Sequence, residues 1–375
     1  MENQYQKGNM PQLNNPMEIE NLLGRPAIAT PTGNIRRDVE GKTILVTGGA
    51  GSIGNGIVRQ LAAFNPKKIV IVDNAESALH NMELFMAQTH DTIACDVVLA
   101  DIRNLERMEM LFSEHTFDVV FHAAAYKHVP LIEKNSHEAV SVNIGGTINL
   151  ANLSVKHKVE KFVMISTDKA MNPTSVMGAS KRAAEMYVQS LQNHKKTGTR
   201  FITTRFGNVL GSNGSIVPYF RKQIAAGGPV TVTHKDVSRY FMTLGEACQL
   251  VLQAAIMGEG GEIFVFDMGE PIKIIELAER MIRLSGLKPY VDIPIEITGL
   301  RPGEKLNEEL LSDTSTAMPT NHPKIMVSKV AVADFDQITD KINKIIVLSG
   351  TGTAKEIVKK LKEIVPEFSS NNPAY

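Results

Sequence analysis

Three adjacent side chains, Thr167, Asp168 and Lys169, close the apolar run "KFVMIS". A hydroxyl, a carboxylate and an amine side by side can hold an oxygen, deliver a proton and remove one, which is the equipment of general acid–base chemistry. An adjacent acid and amine shift each other's pKa, so the two can divide those duties. Eight positions on, Met177 stands four residues before Lys181 in "MGASK", a spacing that puts both on one helix face. A turn-capping role for Asp168 and a core-filling role for Met177 are the plainer readings of these residues.

These groups need a frame, and the pattern from Gly41 onward supplies one. "KTILVTG", "KKIVIVDN", "DVVLADI", "FDVVFHAAA", "KFVMIST" and "RFITTRFGN" are short apolar runs. Between most of them lie helical patterns such as "RNLERMEMLFSEH" and "HEAVSVNIGGTINLANLSVKH". Strand–helix alternation at this spacing predicts an α/β fold: a doubly wound parallel sheet with helices on both faces. Residues 1–40 read as a polar N-terminal arm, with one short helical turn ended by Gly24 and Pro26. Residues 41–207 read as a Rossmann domain to which 236–268 return. Residues 208–235 and 269–330 form a smaller substrate domain, and 331–375 a C-terminal helical tail whose lysines face solvent.

"TGGAGSIG" follows the first strand and opens the first helix. Gly48 permits a tight turn, Gly51 lets backbone approach a pyrophosphate, and Gly54 lets helix and strand pack closely. Ser52 and Ile53 begin the helix whose N-terminus faces the phosphates. Asp73 ends the next strand at the spacing expected of an acid that binds the adenosine ribose, with Asn74 beside it. A 2′-phosphate is repelled by Asp73 and finds no following arginine, so the cofactor expected is NAD and not NADP. Asp101 and Ile102 flank the adenine, and Ala123, Ala124 and Ala125 let the dinucleotide lie against backbone, all at strand ends where ligands bind in such sheets.

The chain has 375 residues, 43% hydrophobic and 21% charged, with 40 basic and 40 acidic side chains. Zero net charge gives no general pull toward nucleic acid or anionic membranes. The two cysteines, Cys95 and Cys248, lie in apolar surroundings and suit reduced core thiols. No metal-ligand spacing, signal peptide or membrane-length apolar run is present, so a soluble cytoplasmic protein is expected.

The set "TGGAGSIG", "AAAYKHVP", Asn143, "STDKAMNP", "MGASK", "RFGNVLGSNGSIVP" and "GLRPGEKLNEELL" resembles the extended short-chain dehydrogenase/reductase superfamily. Within it, the set is similar to the UDP-N-acetylglucosamine 4,6-dehydratases of bacterial polysaccharide and glycan biosynthesis, over roughly residues 22–311. "LLGRP" stands where longer, membrane-anchored members join transmembrane helices to the catalytic part. The resemblance puts Met177 at the position of the usual catalytic tyrosine and Lys181 at that of the lysine on the nicotinamide ribose. A thioether exchanges no protons, so another base must serve. The resemblance makes Lys169 the base at sugar carbon 5, Asp168 the acid at carbon 6, and Thr167 the hydroxyl on the carbon 4 oxygen. Asp168, directly or through water, is the first candidate for taking the carbon 4 hydroxyl proton, and Lys181 the second. Asn143 joins the cofactor residues. Arg239 and Arg301 are the expected diphosphate partners, Glu304 holds the uridine ribose, and Asn208 and Lys127 reach the diphosphate or sugar. NAD is reduced and reoxidised within one cycle and stays tightly bound. The partner is a UDP-sugar, and the arm and the family suggest a homo-oligomer. A UDP-sugar 4-epimerase, a 5-inverting dehydratase and a non-catalytic NAD-sensing protein are the competing readings.

Overall fold

The computed structural model describes residues 22–26, 28, 33–194, 197–309 and 317–375. The six apolar runs form strands β1 Thr43–Thr47, β2 Lys68–Asp73, β3 Cys95–Leu99, β4 Val119–His122, β5 Lys161–Ile165 and β6 Arg200–Arg205. They pair in parallel in the order β3-β2-β1-β4-β5-β6, and Ile263–Phe266 adds a further parallel strand beside β6. Ile325–Ser328 and Ala317–Pro319 complete a nine-stranded sheet in antiparallel sense. This is the doubly wound fold the alternation predicts.

Both faces of the sheet are covered. Ile44 and Val46 pack into one apolar cluster, while Leu45 between them packs into the other. That two-sided burial is why the strands read as unbroken apolar runs. The chain order reverses between β1 and β4, where neighbouring strands continue to opposite sides. The crevice outside their C-terminal ends is the place such sheets hold ligands.

A third cluster forms a separate small core. Val217, Phe220 and Ile224 of helix Ile216–Ala225 meet Leu277, Ala278 and Ile282 of helix Ile274–Leu284, with Val230 and Val232 beneath. Leu22 and Leu23 are buried in this same core. Arg25 pairs with Glu246 at 2.6 Å. Helix Gly33–Val39 buries Ile35 and Val39 in the sheet's second cluster. The expected arm therefore does not extend to residue 40: most of its first part lies outside the described residues, and from Leu22 the described chain is docked.

The segment after residue 331 is likewise no appendage. Helices Phe335–Thr351 and Ala354–Ile364 lay Ile338, Ile342, Ile345, Ile357, Leu361 and Ile364 into the cluster that contains Met177. They pack on helix Val176–His194. Lys355, Lys359 and Lys362 stay exposed on the outer face. An amphipathic stripe needs a partner, and here the partner is the helix that carries Lys181.

Both thiols are inert in this setting. Burial pushes Cys248 up to about 12, and burial with the charges of Asp96 and Glu83 pushes Cys95 up to about 11. Native protein at neutral pH should react with iodoacetamide at least about a hundredfold more slowly than glutathione, since the thiolate is the nucleophile. Rapid alkylation before unfolding, followed by mass spectrometry, would contradict this. Among the described residues no helix is long and apolar enough to cross a membrane, and no group of three or more His, Cys, Asp or Glu is placed to hold a metal.

Candidate active site

The glycine turn is built by close contact. Gly48 has φ +65°, and a Cβ there would lie 2.5 Å from the Ala124 nitrogen. A Cβ on Gly54 would lie 2.1 Å from the Gly48 carbonyl oxygen. So Gly48 packs against the end of β4, and Gly54 packs against the turn itself. A Cβ on Gly51 meets only that same carbonyl, at 3.2 Å, and Gly51 faces outward. Ala123 and Ala125 flank the Ala124 contact, half-buried at the strand end. Ile53 lies half-buried on the first helix, against the second cluster. The Ser52 hydroxyl accepts from the Asn213 amide at 2.9 Å, which ties the turn to the smaller lobe.

Asp73 braces this turn: one oxygen accepts from the Ala50 amide at 2.9 Å and the other from the Ala75 amide at 3.0 Å. Asn74 donates to Asp101 at 3.3 Å. Asp101 also takes a forked contact from Arg103, which holds its carboxyl below the usual range. Arg103 reaches Glu138 as well, at 3.0 Å. Sequence reading passed over Arg103, which comes from the next strand's end. Two carboxylates match its charge, so it offers no free receptor for a 2′-phosphate. Ile102 turns inward: a Cβ on Gly146 would lie 2.4 Å from its methyl. The Ile102 side chain therefore fills core, and only its backbone remains for an adenine.

A buried polar chain crosses the switch point. The Thr147 hydroxyl donates to the Asn143 carbonyl at 2.7 Å, so it accepts from Nε2 of His122 at 2.9 Å. Nδ1 of His122 is then the acceptor for the Thr47 hydroxyl at 2.8 Å. This assignment makes His122 a neutral imidazole, and burial with the nearby charge of Lys181 holds its pKa well below the usual value. Asn143 lies in a π-helix, Ala139–Gly146, a geometry frequent at functional sites. Its amide grips the Tyr126 backbone, accepting at 2.8 Å and donating at 3.0 Å, and also meets Ser180 at 3.0 Å. The expected cofactor contact for Asn143 is thus replaced by a backbone-shaping one. Neither the π-turn nor the His122 chain has a local sequence signal beyond the polar residues themselves.

Beyond β5 the ladder to β6 continues: Ser166 donates to Thr204 at 2.7 Å and Asp168 to Phe206 at 3.1 Å. The Ser166 hydroxyl and Arg205 both hold Glu185, a buried carboxylate whose pKa burial would raise but Arg205 lowers. That anchor fixes where the Thr-Asp-Lys turn begins. Thr167 caps the turn by accepting from the Lys169 amide at 3.3 Å, so Asp168 is not spent as a cap. Thr167 also donates to Asp168 at 2.9 Å. The turn is pressed against helix Val176–His194: a Cβ on Gly178 would lie 2.1 Å from the Lys169 carbonyl.

Asp168 is fully buried. Its Oδ1 pairs with the Lys169 ammonium at 2.9 Å, and its Oδ2 has no hydrogen-bond partner among the described residues. Gly207 leaves the room, since a Cβ there would approach Oδ2 to 2.9 Å. Lys169 also faces Glu308 at 3.6 Å and donates to the Asn208 side-chain oxygen at 3.3 Å. Burial disfavours its charge, but Asp168 and Glu308 outweigh burial and raise its pKa. Glu308 carries a second partnerless buried oxygen. It sits inside the quoted "GLRPGEKLNEELL", yet sequence reading did not single it out.

Met177 is buried among the apolar side chains of the first cluster. Lys181, one turn later, is 4% exposed, and its ammonium has no hydrogen-bond partner among the described residues. Burial depresses it to about 8. A buried lysine without a partner is costly, and such a group waiting at a strand-end crevice fits a dinucleotide whose ribose hydroxyls can accept from it. The open Gly51 surface fits the same ligand.

The substrate-side residues divide. Arg239 is consumed inside the protein: its fork donates to the carbonyls of Ser238, Leu306 and Lys305 and pairs with Glu304 at 3.2 Å. It therefore braces the turn Arg301–Glu304 and leaves no donor pair for a diphosphate. Arg301 stays exposed, paired with Glu304 at 3.1 Å. Glu304 is held by Arg301, Arg239 and Thr233 together; burial would raise its pKa, but Arg301 lowers it. Asn208, expected to reach the diphosphate or sugar, accepts from Lys169. Lys127 projects exposed beyond the Asn143-gripped Tyr126.

Comparison with known proteins adds one family match and three relatives. Residues 44–330 match the family model described as polysaccharide biosynthesis protein. A capsular polysaccharide biosynthesis protein, CapD of Staphylococcus aureus, is 50% identical over 315 residues, 84% of this chain and 52% of the relative. The chain thus spans about half the length of that relative. A UDP-N-acetylglucosamine 4,6-dehydratase (inverting) of Campylobacter jejuni is 32% identical over 339 residues, covering 89% of this chain and 94% of that enzyme. A UDP-glucose 4-epimerase of Rickettsia typhi is 34% identical over 282 residues, 74% of this chain and 79% of that enzyme.

Proposed function

This chain belongs to the polysaccharide biosynthesis protein family, within the extended short-chain dehydrogenases/reductases, and from that premise we propose that it is an NAD-dependent 4,6-dehydratase of UDP-N-acetylglucosamine. The product is a UDP-4-keto-6-deoxy sugar for bacterial polysaccharide or glycan synthesis. The observation that carries the reading is the Asp168–Lys169 pair at 2.9 Å, whose buried carboxylate keeps one oxygen without a partner among the described residues, as does the ammonium of Lys181.

NAD, when bound, supplies the hydride acceptor for carbon 4 and the hydride that returns to carbon 6. Lys181 holds the nicotinamide ribose, and its burial keeps it poised to give a proton near neutral pH. Asp73 holds the adenosine ribose, and the outward face of Gly51 admits the pyrophosphate. Thr167 orients the carbon 4 oxygen. Asp168, through its open Oδ2, takes the carbon 4 hydroxyl proton and later protonates the departing carbon 6 hydroxyl. Lys169 removes the carbon 5 proton, which is acidic once carbon 4 is a ketone. Its resting form is an ammonium between two carboxylates, so it must release a proton first, and turnover rises with pH. Glu308 sets that balance together with Asp168. Arg301 is the remaining exposed guanidinium for the diphosphate.

A 4-epimerase oxidises the same carbon and needs no second acid–base pair at carbons 5 and 6. The Asp168–Lys169–Glu308 group favours the dehydratase. The deciding experiment incubates the protein with UDP-N-acetylglucosamine and NAD and reads the product by mass spectrometry. A product lighter by one water is expected. A product of unchanged mass and inverted carbon 4 would give the epimerase, and no turnover with bound NAD would give the sensing protein.

A further inference from the structure

Three segments converge on one buried carboxylate, Glu133: the start of helix Val176–His194, the turn at Gly303 and the stretch Ser369–Tyr375. One Glu133 oxygen accepts from the Val176 amide at 2.7 Å, at the start of the helix that carries Lys181. The other accepts from the Asn372 side chain at 2.8 Å. The Tyr375 hydroxyl donates to the Glu133 carbonyl at 2.6 Å. Gly303, with φ +80°, presses onto the same place: a Cβ there would lie 2.9 Å from Glu133 and 3.0 Å from Ser175.

The segment Ser369–Tyr375 reaches both partners of this junction. The Ser369 amide donates to the Pro173 carbonyl at 3.0 Å, just past the Thr-Asp-Lys turn. The Asn371 side chain then clips the Gly303–Glu304 backbone from two sides. Its oxygen accepts from the Gly303 amide at 2.8 Å, and its nitrogen donates to the Glu304 carbonyl at 2.9 Å. Phe368, buried in the first cluster, anchors the segment from behind. A side-chain amide that satisfies one donor and one acceptor of a single turn fixes both its height and its rotation.

We propose that Ser369–Tyr375 is a strap that holds the turn Arg301–Glu304 at a set distance from the Asp168–Lys169 pair, with Asn371 as its positioning residue for the nucleotide part of the substrate. The proposal rests on the reading of that turn as substrate-facing. Arg301 is exposed and, among the described residues, has only Glu304 to steady it, so its reach depends on where the strap puts Glu304. Among the described residues Asn371 itself hydrogen-bonds only with Thr174 and the Gly303–Glu304 backbone, and not with the glycine turn, Asp73 or Lys181, so its loss should leave dinucleotide binding largely unchanged.

The test uses the full chain with Asn371→Ala, Asn371→Asp and Tyr375→Phe, UDP and NAD as probes, and amide hydrogen exchange as a readout independent of turnover. In Asn371→Ala, exchange across residues 301–306 should quicken at least about tenfold while strands β1 and β4 keep wild-type rates. UDP affinity should fall about tenfold with NAD affinity within about twofold. Asn371→Asp, which keeps the acceptor for the Gly303 amide, should recover part of both losses. Tyr375→Phe should loosen the same turn to a smaller degree. Unchanged exchange at 301–306, faster exchange everywhere alike, or a loosened turn with unchanged UDP affinity would each overturn the strap's positioning role. A wild-type protein that binds no UDP would overturn the substrate reading alone, and the exchange data would still decide whether the strap holds the turn.

Discussion

Asp168→Asn should lower kcat by about 10²- to 10⁴-fold while the protein keeps its fold and its NAD. The substitution is nearly isosteric, and an amide can still accept at Oδ1 from Thr167 and Lys169, where the carboxylate now makes contacts of 2.9 Å each. What goes is the proton-exchanging group at the open Oδ2 position, and removing one such group has about this effect. The pH profile carries a second signature. Burial opposes the Lys169 charge, and Asp168 and Glu308 together overcome it. A base must be neutral to act, so wild-type turnover should climb toward alkaline pH as Lys169 loses its proton. With Asp168 neutralised, one of the two carboxylates holding that proton is gone and burial gains weight. The rising limb of the residual activity should therefore move to lower pH, and Glu308→Gln should move it in the same direction without the large loss in kcat. Turnover within about threefold of wild type in Asp168→Asn, with an unmoved limb, would remove Asp168 from the chemistry.

Lys181→Met should make the protein more stable and less able to bind NAD. Lys181 has a folded pKa of about 8 against an ordinary 10.5, because burial penalises its charge. Between those values the unfolded chain binds more protons than the folded one, so stability rises with pH across that window. Below about pH 8 the full cost is present, roughly 3 kcal/mol from the size of the shift. An apolar side chain of similar length removes it. Urea unfolding without cofactor should show a gain of up to about 3 kcal/mol at pH 7 that shrinks steadily toward pH 10. NAD affinity should fall at the same time, since the ribose loses a charged donor. A variant less stable than wild type at pH 7 would show that the Lys181 ammonium has a partner after all. This trade, stability given up for a buried reactive group, is the ordinary condition of an active site.

The local pattern of the sequence determined the frame and the proposed catalytic turn. Two-sided burial writes itself as unbroken apolar runs, a positive φ writes itself as Gly48, and an acid ending β2 writes itself as Asp73. Asp168 and Lys169 are neighbours in the chain, so their pairing needs no fold to be foreseen. Tertiary structure alone decided what faces that pair. Glu308 meets Lys169 across 139 positions, and Glu133 meets Asn372 across 239. Such contacts have no periodicity and no turn chemistry to announce them. Arg239 and Asn208 were read as substrate ligands by residue type, but a guanidinium or an amide is equally suited to bracing a loop. Only the carbonyls of Leu306 and Lys305 around Arg239 show which use prevails. Lys181 likewise became a poised group only once its helix was packed against the elements around it, the π-helix and the Thr-Asp-Lys turn among them. Desolvation is a property of everything packed around a charge, and no stretch of sequence contains that environment.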